Sequence, residues 1–177
     1  MQLADVVATS TEVGATRSRK AKTAALAALL VRARDADPDE IATVVSYLAG
    51  SLRQRRTGLG WRSMQTMPAP ATSSSLAVTD VHEAFERIAA LAGSGSQPAR
   101  ATATADLFGR ATHDEQRWLR GLVTGEVRQG ALDSLVQEGL AAAGRVPVTA
   151  VRRAAMMAGS TVAIAPAALT GGEAALA

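Results

Sequence analysis

With 177 residues, of which 47% are apolar and only 3% aromatic, the chain is long enough for one domain whose core is built mainly from alanine and leucine. It contains no cysteine, so disulfide scaffolds, thiolate nucleophiles and cysteine-ligated zinc are excluded. Its 19 basic and 16 acidic residues give a net charge of +3, and all but two of the basic residues are arginine.

Apolar residues recur at helical spacing along the first half of the chain, residues 1–65. The two stripes comprise Leu26, Leu29, Leu30 and Ala33, then Ile41, Val44, Val45 and Leu48. We expect Asp37 to cap the second helix, with Pro38 as its first residue and Gly50 as its end. A further short helix is predicted to begin at Trp61.

Residues 66–76 (TMPAPATSSSL) carry no charge and are rich in Pro, Ser, Thr and Ala, which predicts a connector between two helical halves. The second half, residues 77–172, opens with an apolar helical stripe that ends at Gly93. Its members are Val81, Ala84, Phe85, Ile88 and Leu91. The next helix is predicted from Gln97–Pro98 to about Phe108.

A capping box of Thr112 and Glu115 predicts the start of another helix, which Gly125 ends. Its buried stripe consists of Trp118, Leu119 and Leu122. The following helix is predicted to close at Gly144. Its stripe consists of Leu132, Leu135, Val136 and Leu140.

The last part of the chain predicts one firm and one weak helix. The firm helix begins at Pro147, and the weak one begins at about Ser160 and is interrupted at Pro166. The apolar face of the firm helix comprises Val148, Val151 and Ala155. Residues 154–172 are uncharged, but glycines and Pro166 break them too often for a membrane-spanning helix. Asp5 interrupts the first apolar run, so no secretory signal is expected.

No strand alternation and no repeat of fixed period accompanies these helices. The sequence therefore predicts an all-α fold. We expect one compact multi-helix domain over residues 1–177, with about nine or ten helices in two halves. The protein is expected to be soluble and cytoplasmic, with no membrane among its partners.

Residues that could carry out catalysis are not clustered in this sequence. His82 and His113 lie far apart, and neither has a second ligand at metal-binding spacing. There is no Gly-x-Ser-x-Gly motif and no phosphate-binding Gly-x-x-x-x-Gly-Lys loop. The two lysines, Lys20 and Lys22, lack the x-Asp-Gly context of a nucleotide-accepting lysine. We therefore expect no active site and no metal site in the chain itself.

Two glycine-containing loops are candidate phosphate contacts. Residues 93–96 precede a predicted helix, where glycine permits close backbone approach and a helix N-terminus presents free N–H groups. In residues 125–131 two glycines flank Arg128, whose guanidinium can pair with a phosphate or enter a groove. Taken one at a time, an ordinary corner between helices and a plain surface arginine are the simpler interpretations.

A third segment, Arg53–Trp61, combines arginines, two glycines and an aromatic residue. It lies in a stretch without acids, residues 41–79, and a second such stretch, residues 13–34, also holds several cations. Clustered cations attract polyanions, although solvated surface charge is an equal alternative. We expect Trp61 to anchor the core rather than to stack on a base.

The order and spacing of these segments resemble those of a known family. A basic helix start at Ser18–Arg19 is followed by Arg53–Trp61, by the 93–96 loop, and by Gly125-x-x-Arg128-x-Gly130 ahead of an amphipathic helix. This arrangement resembles the N-terminal DNA-binding domain of ATP-dependent DNA ligases, of the actinobacterial type often called DNA ligase B. The resemblance extends from Leu3 to about Gly172.

The resemblance implies a helical domain that holds nicked duplex DNA across the minor groove, through the sugar–phosphate backbone and without sequence preference. It places three groups of residues on the DNA. These are Gly125, Arg128, Gly130 and Ala131 near the nick, Gly93, Ser94 and Ser96 as a second contact, and Ser18 and Arg19 as a third. The side chain of Glu126 is not included, because some relatives have a basic residue at that position.

The resemblance also implies a role in DNA repair, recombination and replication within a longer enzyme. The adenylated lysine in its Lys-x-Asp-Gly setting and the nucleotidyltransferase and OB-fold domains are absent, so we expect an excised or truncated domain. ATP and Mg²⁺ are expected only for the missing catalytic domain, and no cofactor for this chain. Its expected partners are double-stranded nicked DNA and the catalytic domains of the parent ligase.

Other functions stay open at this point. The main alternative is a helical protein–protein interaction module that does not bind DNA. A sequence-specific regulator would need a recognition helix with several side chains at base edges, whereas the basic residues here cluster at loops and helix starts. A free-standing enzyme has the least support, for want of catalytic groups.

Overall fold

The structure, a computed structural model, describes residues 1–127 and 132–177. Nine α-helices and two 3₁₀ helices lie within these ranges, which confirms the all-α prediction. The α-helices are α1 (Leu3–Ala15), α2 (Arg19–Arg32), α3 (Pro38–Leu48), α4 (Val78–Ala90), α5 (Ser96–Gly109), α6 (His113–Thr124), α7 (Leu132–Gly144), α8 (Val148–Ala158) and α9 (Thr161–Thr170). The 3₁₀ helices are Trp61–Met64 and Glu173–Leu176. Within the described ranges, no helix is both long and apolar enough to cross a membrane.

The chain divides into two compact units, each made of separate stretches of sequence. Unit 1 comprises Met1–Val7 and Ser51–Val127, and unit 2 comprises Ala8–Gly50 and Arg128–Ala177. The two predicted halves, residues 1–65 and 77–172, are instead continuous in sequence. That the chain forms a single domain stays a prediction.

Unit 1 is built around α4, α5 and α6, with α4 packed against α5. The predicted capping box forms at the start of α6: the Thr112 N–H donates to Glu115 Oε2 at 2.8 Å, and the Glu115 N–H donates to Thr112 Oγ1 at 3.4 Å. The predicted stripes are buried except for Leu91, which follows the end of α4 and is half-buried, and Phe85 and Leu119 are fully enclosed. Sequence periodicity therefore located these helices correctly.

The predicted connector, residues 66–76, is fastened to unit 1. The Gln116 side-chain amide donates to the carbonyls of Pro68 at 3.1 Å and Phe108 at 2.8 Å. The Ser74 hydroxyl donates to Glu115 Oε1 at 2.6 Å, and Leu76 is fully buried. These bonds satisfy polar groups of the connector, so it is held against the surface of unit 1, and Leu76 is the one connector residue that enters the core.

Unit 2 consists of helices packed directly on one another. α7 contacts α2, α8 and α9, and α3 contacts α9 and α7. The predicted caps form here too, since Asp37 Oδ1 accepts from the Asp39 N–H at 2.8 Å and Pro38 is the first residue of α3. Ser160 caps α9 by accepting from the Ala163 N–H at 3.3 Å.

The predicted interruption at Pro166 is wrong, because α9 continues through it to Thr170. Proline lacks the N–H that would bond the carbonyl four residues earlier. The helix persists since its apolar face is anchored on three other helices, with Ala165 and Ala168 fully buried. Tertiary packing thus outweighs the lost hydrogen bond.

The first helix, α1, was not predicted. Leu3, Val6 and Val13 in it are fully buried. The spacing from Leu3 through Val6 and Val7 to Ser10 is helical, but the polar residues that follow Val7 hide the stripe from an analysis of apolar residues alone.

The helix α7 ends at Gly144, as predicted, but for a different reason. The left-handed residue is Arg145, with φ 56°, and the Val146 N–H bonds the Ala141 carbonyl at 3.0 Å as in a glycine-type cap. Gly144 instead lies against α9, where an added Cβ would overlap the Ala168 carbonyl oxygen. Glycine is used for close helix approach, and an arginine adopts the strained conformation.

Candidate nucleic-acid interface

The turn that joins α4 to α5, residues 93–96, is one of the predicted phosphate contacts. Gly93 and Gly95 have φ of 80° and 79°, and a Cβ on either would meet no atom within 4 Å. Ser94 is exposed, and Ser96 is the first residue of α5. The glycines are therefore required by the backbone conformation and not by packing, and the turn presents an open surface.

Arg100 connects this turn to the segment around Gly58, within unit 1. Its Nη2 donates to the Leu91 carbonyl at 2.5 Å, at the end of α4. Gly58 lies directly over the guanidinium, where an added Cβ would be 2.8 Å from Arg100 Nε. A cleft of about 470 Å³ opens beside this contact, between residues 58–68 and the first three turns of α5.

The cleft is bordered by the arginine segment, which we define as residues 53–62. Three of its arginines, Arg55, Arg56 and Arg62, are exposed, and none of their side chains forms an ion pair or hydrogen bond with a residue of the described ranges. We call these the loop arginines. A guanidinium without a counterion is available to a phosphate, with which it can form two parallel hydrogen bonds.

The start of the arginine segment is fixed by hydrogen bonds from the side-chain amide of Gln54 to α4. Gln54 Nε2 lies 2.6 Å from Glu86 Oε1 and 3.0 Å from His82 Nδ1. Glu86 is an acid close to the segment, and it is bound by Gln54. The segment is thus positioned by an amide, and its loop arginines stay uncompensated.

The prediction that Trp61 anchors the core is wrong. Its side chain is 58% exposed, whereas Met64, three residues on in the same 3₁₀ helix, is buried. Met64 occupies the core position that the sequence analysis gave to the tryptophan. The buried tryptophan of unit 1 is Trp118, at 8% exposure.

Gly125 lies at the end of α6, in the left-handed conformation. The Glu126 N–H donates to the Gly121 carbonyl at 2.7 Å and the Gly125 N–H to the Leu122 carbonyl at 3.4 Å, so this turn closes the helix. The other three predicted residues of this loop lie outside the described residues. They are Arg128, Gly130 and Ala131.

Ser18 and Arg19 lie at the start of α2 in unit 2. Ser18 Oγ caps the helix by accepting from the Ala21 N–H at 3.2 Å. Arg19 forms a two-pronged ion pair with Glu138 on α7, with Nη2–Oε1 at 2.7 Å and Nε–Oε2 at 3.1 Å. Arg152 from α8 reaches the same Oε1 at 3.0 Å.

The contacts in this cluster shift the pKa values of Glu138 and Arg19 so that both side chains are stabilised in their charged forms. The hydrogen bond from Arg19 holds the pKa of the Glu138 carboxyl below its usual value, with help from Thr23 and Arg152. The same bond raises the pKa of Arg19. A phosphate that binds Arg19 therefore has to compete with Glu138 for the guanidinium.

The predicted site residues thus fall into separate groups. In unit 1 Arg100 links the end of α4, just before the 93–96 turn, to Gly58 of the arginine segment, while Gly125 lies at the end of a different helix. Ser18 and Arg19 belong to unit 2. Among the residues described, no group of three His, Asp or Glu side chains could hold a metal ion.

Two parts of this arrangement were not found from the sequence. Arg100 is a single basic residue within α5, and no local pattern indicates that it joins two loops. Glu138 gives a usable signal, because it has no basic residue three or four positions away on α7. An acid without a local partner could have indicated an ion pair with another helix.

Comparisons with known proteins show which sequences this chain resembles. Residues 62–141 match the model of a family described as "DNA ligase N terminus". The chain is 69% identical over 171 residues to a "Probable DNA ligase" of Nocardioides sp. (strain ATCC BAA-499 / JS614), which covers 96% of this chain and 34% of that relative.

Two further relatives, each also named "Probable DNA ligase", have similar identities and coverages. That of Kineococcus radiotolerans is 62% identical over 177 residues, covering 100% of this chain and 35% of the relative. That of Beutenbergia cavernae is 58% identical over 169 residues, covering 96% of this chain and 32% of the relative. The chain therefore spans about a third of the length of the curated relatives it matches.

Proposed function

Because the chain belongs to the DNA ligase N terminus family, matched over residues 62–141, we propose that it binds nicked duplex DNA without sequence preference. It contacts the sugar–phosphate backbone across the minor groove, as the N-terminal module of an ATP-dependent DNA ligase. Through that enzyme it takes part in DNA repair, recombination and replication in the cytoplasm.

The single observation that carries this proposal is the set of loop arginines. They are exposed, lack a counterion among the described residues, and belong to the segment whose residues Gly58 and Leu59 line the cleft. Unpaired guanidiniums that lie close together along the chain create a positive field that attracts a polyanion. They do not specify a base, which supports binding that is independent of sequence.

The proposed contacts include the residues singled out by the resemblance, together with the loop arginines. They are Gly125, Arg128, Gly130 and Ala131, then Gly93, Ser94 and Ser96, then Ser18 and Arg19. The proposed partners are the nicked duplex and the catalytic domains of the parent ligase. ATP and Mg²⁺ belong in this proposal to those domains and not to this chain.

The proposal is tested by fluorescence-anisotropy titration of the 177-residue chain against nicked, intact and single-stranded DNA at two salt concentrations. We expect salt-sensitive binding to duplex with little dependence on sequence, and tighter binding to the nicked form. Each phosphate contact contributes about −0.9 to the slope of log affinity against log salt. No binding to any of these DNAs at low salt contradicts the proposal.

A specific observation favours the alternative, a helical protein–protein interaction module. Met156 and Met157 on α8 are 78% and 74% exposed, and adjacent exposed methionines are typical of adaptable protein-binding surfaces. This function predicts that a partner protein is retained after nuclease treatment, and that a Met156→Ala, Met157→Ala variant loses the partner while DNA binding is unchanged.

A further inference from the structure

We propose that Trp61 is an aromatic DNA contact of this domain, stacking on a base or sugar face while the loop arginines hold the adjoining phosphates. This inference rests on the proposed function, and it adds a residue that the resemblance did not place on DNA. It follows from the correction above, since the structure leaves Trp61 outside the core.

Trp61 is 58% exposed, although an indole ring is large, apolar and favourably buried. The chain contains two tryptophans, and the other, Trp118, is buried on the stripe of α6. Met64 supplies the buried apolar anchor of the 3₁₀ helix, so the core does not enclose Trp61.

Trp61 belongs to a segment that borders the cleft of unit 1. Its neighbours at 59 and 63, Leu59 and Ser63, both line that cleft. The opposite wall includes Gln97 and Pro98, which follow the 93–96 turn directly. The exposed tryptophan is therefore carried by the short helix next to the cleft, whose far wall follows a turn that is open to a ligand.

The surroundings of Trp61 in the sequence are positively charged. It lies within the acid-free stretch 41–79, and it is next to Arg62, with Arg55 and Arg56 a few residues before it. Arginines and exposed aromatic rings together bind unstacked nucleic acid without sequence preference, because guanidiniums pair with phosphates and the ring stacks on any open base face. In a duplex, a nick is a place where such a face can open. The occupant that fits this surface is therefore DNA.

The arginines and the tryptophan are expected to make separable contributions. Binding through the arginines releases counterions and weakens with salt, whereas stacking does not depend on salt in this way. Replacing Trp61 should lower affinity with an unchanged salt slope. Replacing the loop arginines should lower the slope itself.

The test uses Trp61→Ala, Trp61→Phe and, as a matched control, Met156→Ala, which removes a similarly exposed apolar side chain from unit 2. Circular dichroism and thermal unfolding verify that each variant folds. We expect Trp61→Ala to lower affinity for nicked duplex about tenfold at constant salt slope. Trp61→Phe should restore most of it, and Met156→Ala should bind as the unmodified chain does.

Intrinsic fluorescence gives an independent measurement on the unmodified chain. Nicked duplex should quench the emission of Trp61 and protect it from acrylamide, and the change should vanish in Trp61→Phe. If the chain binds DNA with no change in emission, and Trp61→Ala binds as tightly as the unmodified chain, the inference is wrong while the proposed function stands. If no DNA binds at low salt, both fail together.

Discussion

The loop arginines of unit 1 and the arginines around Glu138 in unit 2 have the same chemistry and opposite surroundings. The loop arginines have no carboxylate partner among the described residues, whereas Arg19 and Arg152 share Glu138 Oε1 at 2.7 and 3.0 Å. A phosphate meets no competitor in the first case and must displace a carboxylate in the second. Charge pairing, and not the number of cations in a stretch, therefore distinguishes a binding surface from a structural one.

Three glycines of the two units show two different uses of this residue. Gly93 and Gly95 in unit 1 face open space and are needed for a backbone conformation, while Gly144 in unit 2 is needed because α9 lies against it. The first two present a turn, and the third lets two helices approach closely.

The largest expected effect is on stability, and it distinguishes a glycine needed for close packing from one needed for a left-handed backbone conformation. Gly144→Ala should lower the free energy of unfolding by about 3 kcal/mol, because the new methyl group overlaps the Ala168 carbonyl and the helices must separate. Gly93→Ala should cost only about 1–2 kcal/mol, for the left-handed conformation alone. Urea unfolding of both variants makes the comparison, and equal losses would contradict it.

The next effect concerns DNA binding. Replacing the loop arginines together by alanine should lower the salt slope by about 2–3 units, at about 0.9 per phosphate contact, with little change in thermal stability. Arg117→Ala is the control, because that arginine is exposed in the same unit but paired with Asp114 at 3.1 Å. A slope that falls in the control by a third as much, which is the same amount for each charge removed, would show that net charge alone matters.

A smaller effect of opposite sign is expected at the end of α7. Arg145→Gly should stabilise the protein by about 1 kcal/mol, since glycine adopts φ 56° without the steric cost that arginine bears. The midpoint of urea unfolding should rise with an unchanged m-value. A neutral or destabilising result would mean that the arginine side chain contributes more than its strain.

The smallest effect tests whether the arginines of unit 2 can be made to resemble those of unit 1. Glu138→Gln should lower the melting temperature by a few degrees at most, because the cluster is partly solvent-exposed. It should also raise affinity for duplex DNA at low salt by releasing Arg19 and Arg152. A loss of affinity would show instead that Glu138 orients the two arginines for phosphate.

The same variant should change the pH dependence of stability. Since the pKa of Glu138 is lowered in the folded protein, its contribution is fully present above the usual value of 4.5 and is lost as the pH falls through the lowered value. Glu138→Gln should therefore flatten the decline in melting temperature between about pH 5 and pH 3. A decline as steep as that of the unmodified chain would contradict the assignment.

Most of the helices could be predicted because their signals are local. Asp37 and Thr112 cap helices through bonds to residues two or three positions away, and apolar stripes repeat within one element. The errors at Trp61 and Pro166 have one cause. Whether a tryptophan is buried, or a proline is tolerated inside a helix, depends on which distant part of the chain packs against it. The spacing of residues in the sequence does not reveal that packing.

The candidate site was predictable in its parts but not in its assembly. The glycine loops and the arginine segment can be recognised from their composition. The contacts of Arg100 with Leu91 and Gly58 cannot, because they join residues that are far apart in the sequence. The pairing of Arg19 with Glu138, far apart in the chain, is equally invisible locally. Which cations remain uncompensated is a property of tertiary structure.

The division of each unit into separate stretches has a consequence for synthesis on the ribosome. The Leu3 N–H bonds the Leu76 carbonyl at 2.8 Å and the Val78 N–H bonds the Met1 carbonyl at 3.0 Å, so these residues at the start of unit 1 cannot pair until residues 76–78 have been made. α2 and α3 are translated before α7 and α9, against which they pack. Their apolar faces therefore stay uncovered while about eighty or more intervening residues are synthesised, an interval in which a chaperone can bind them.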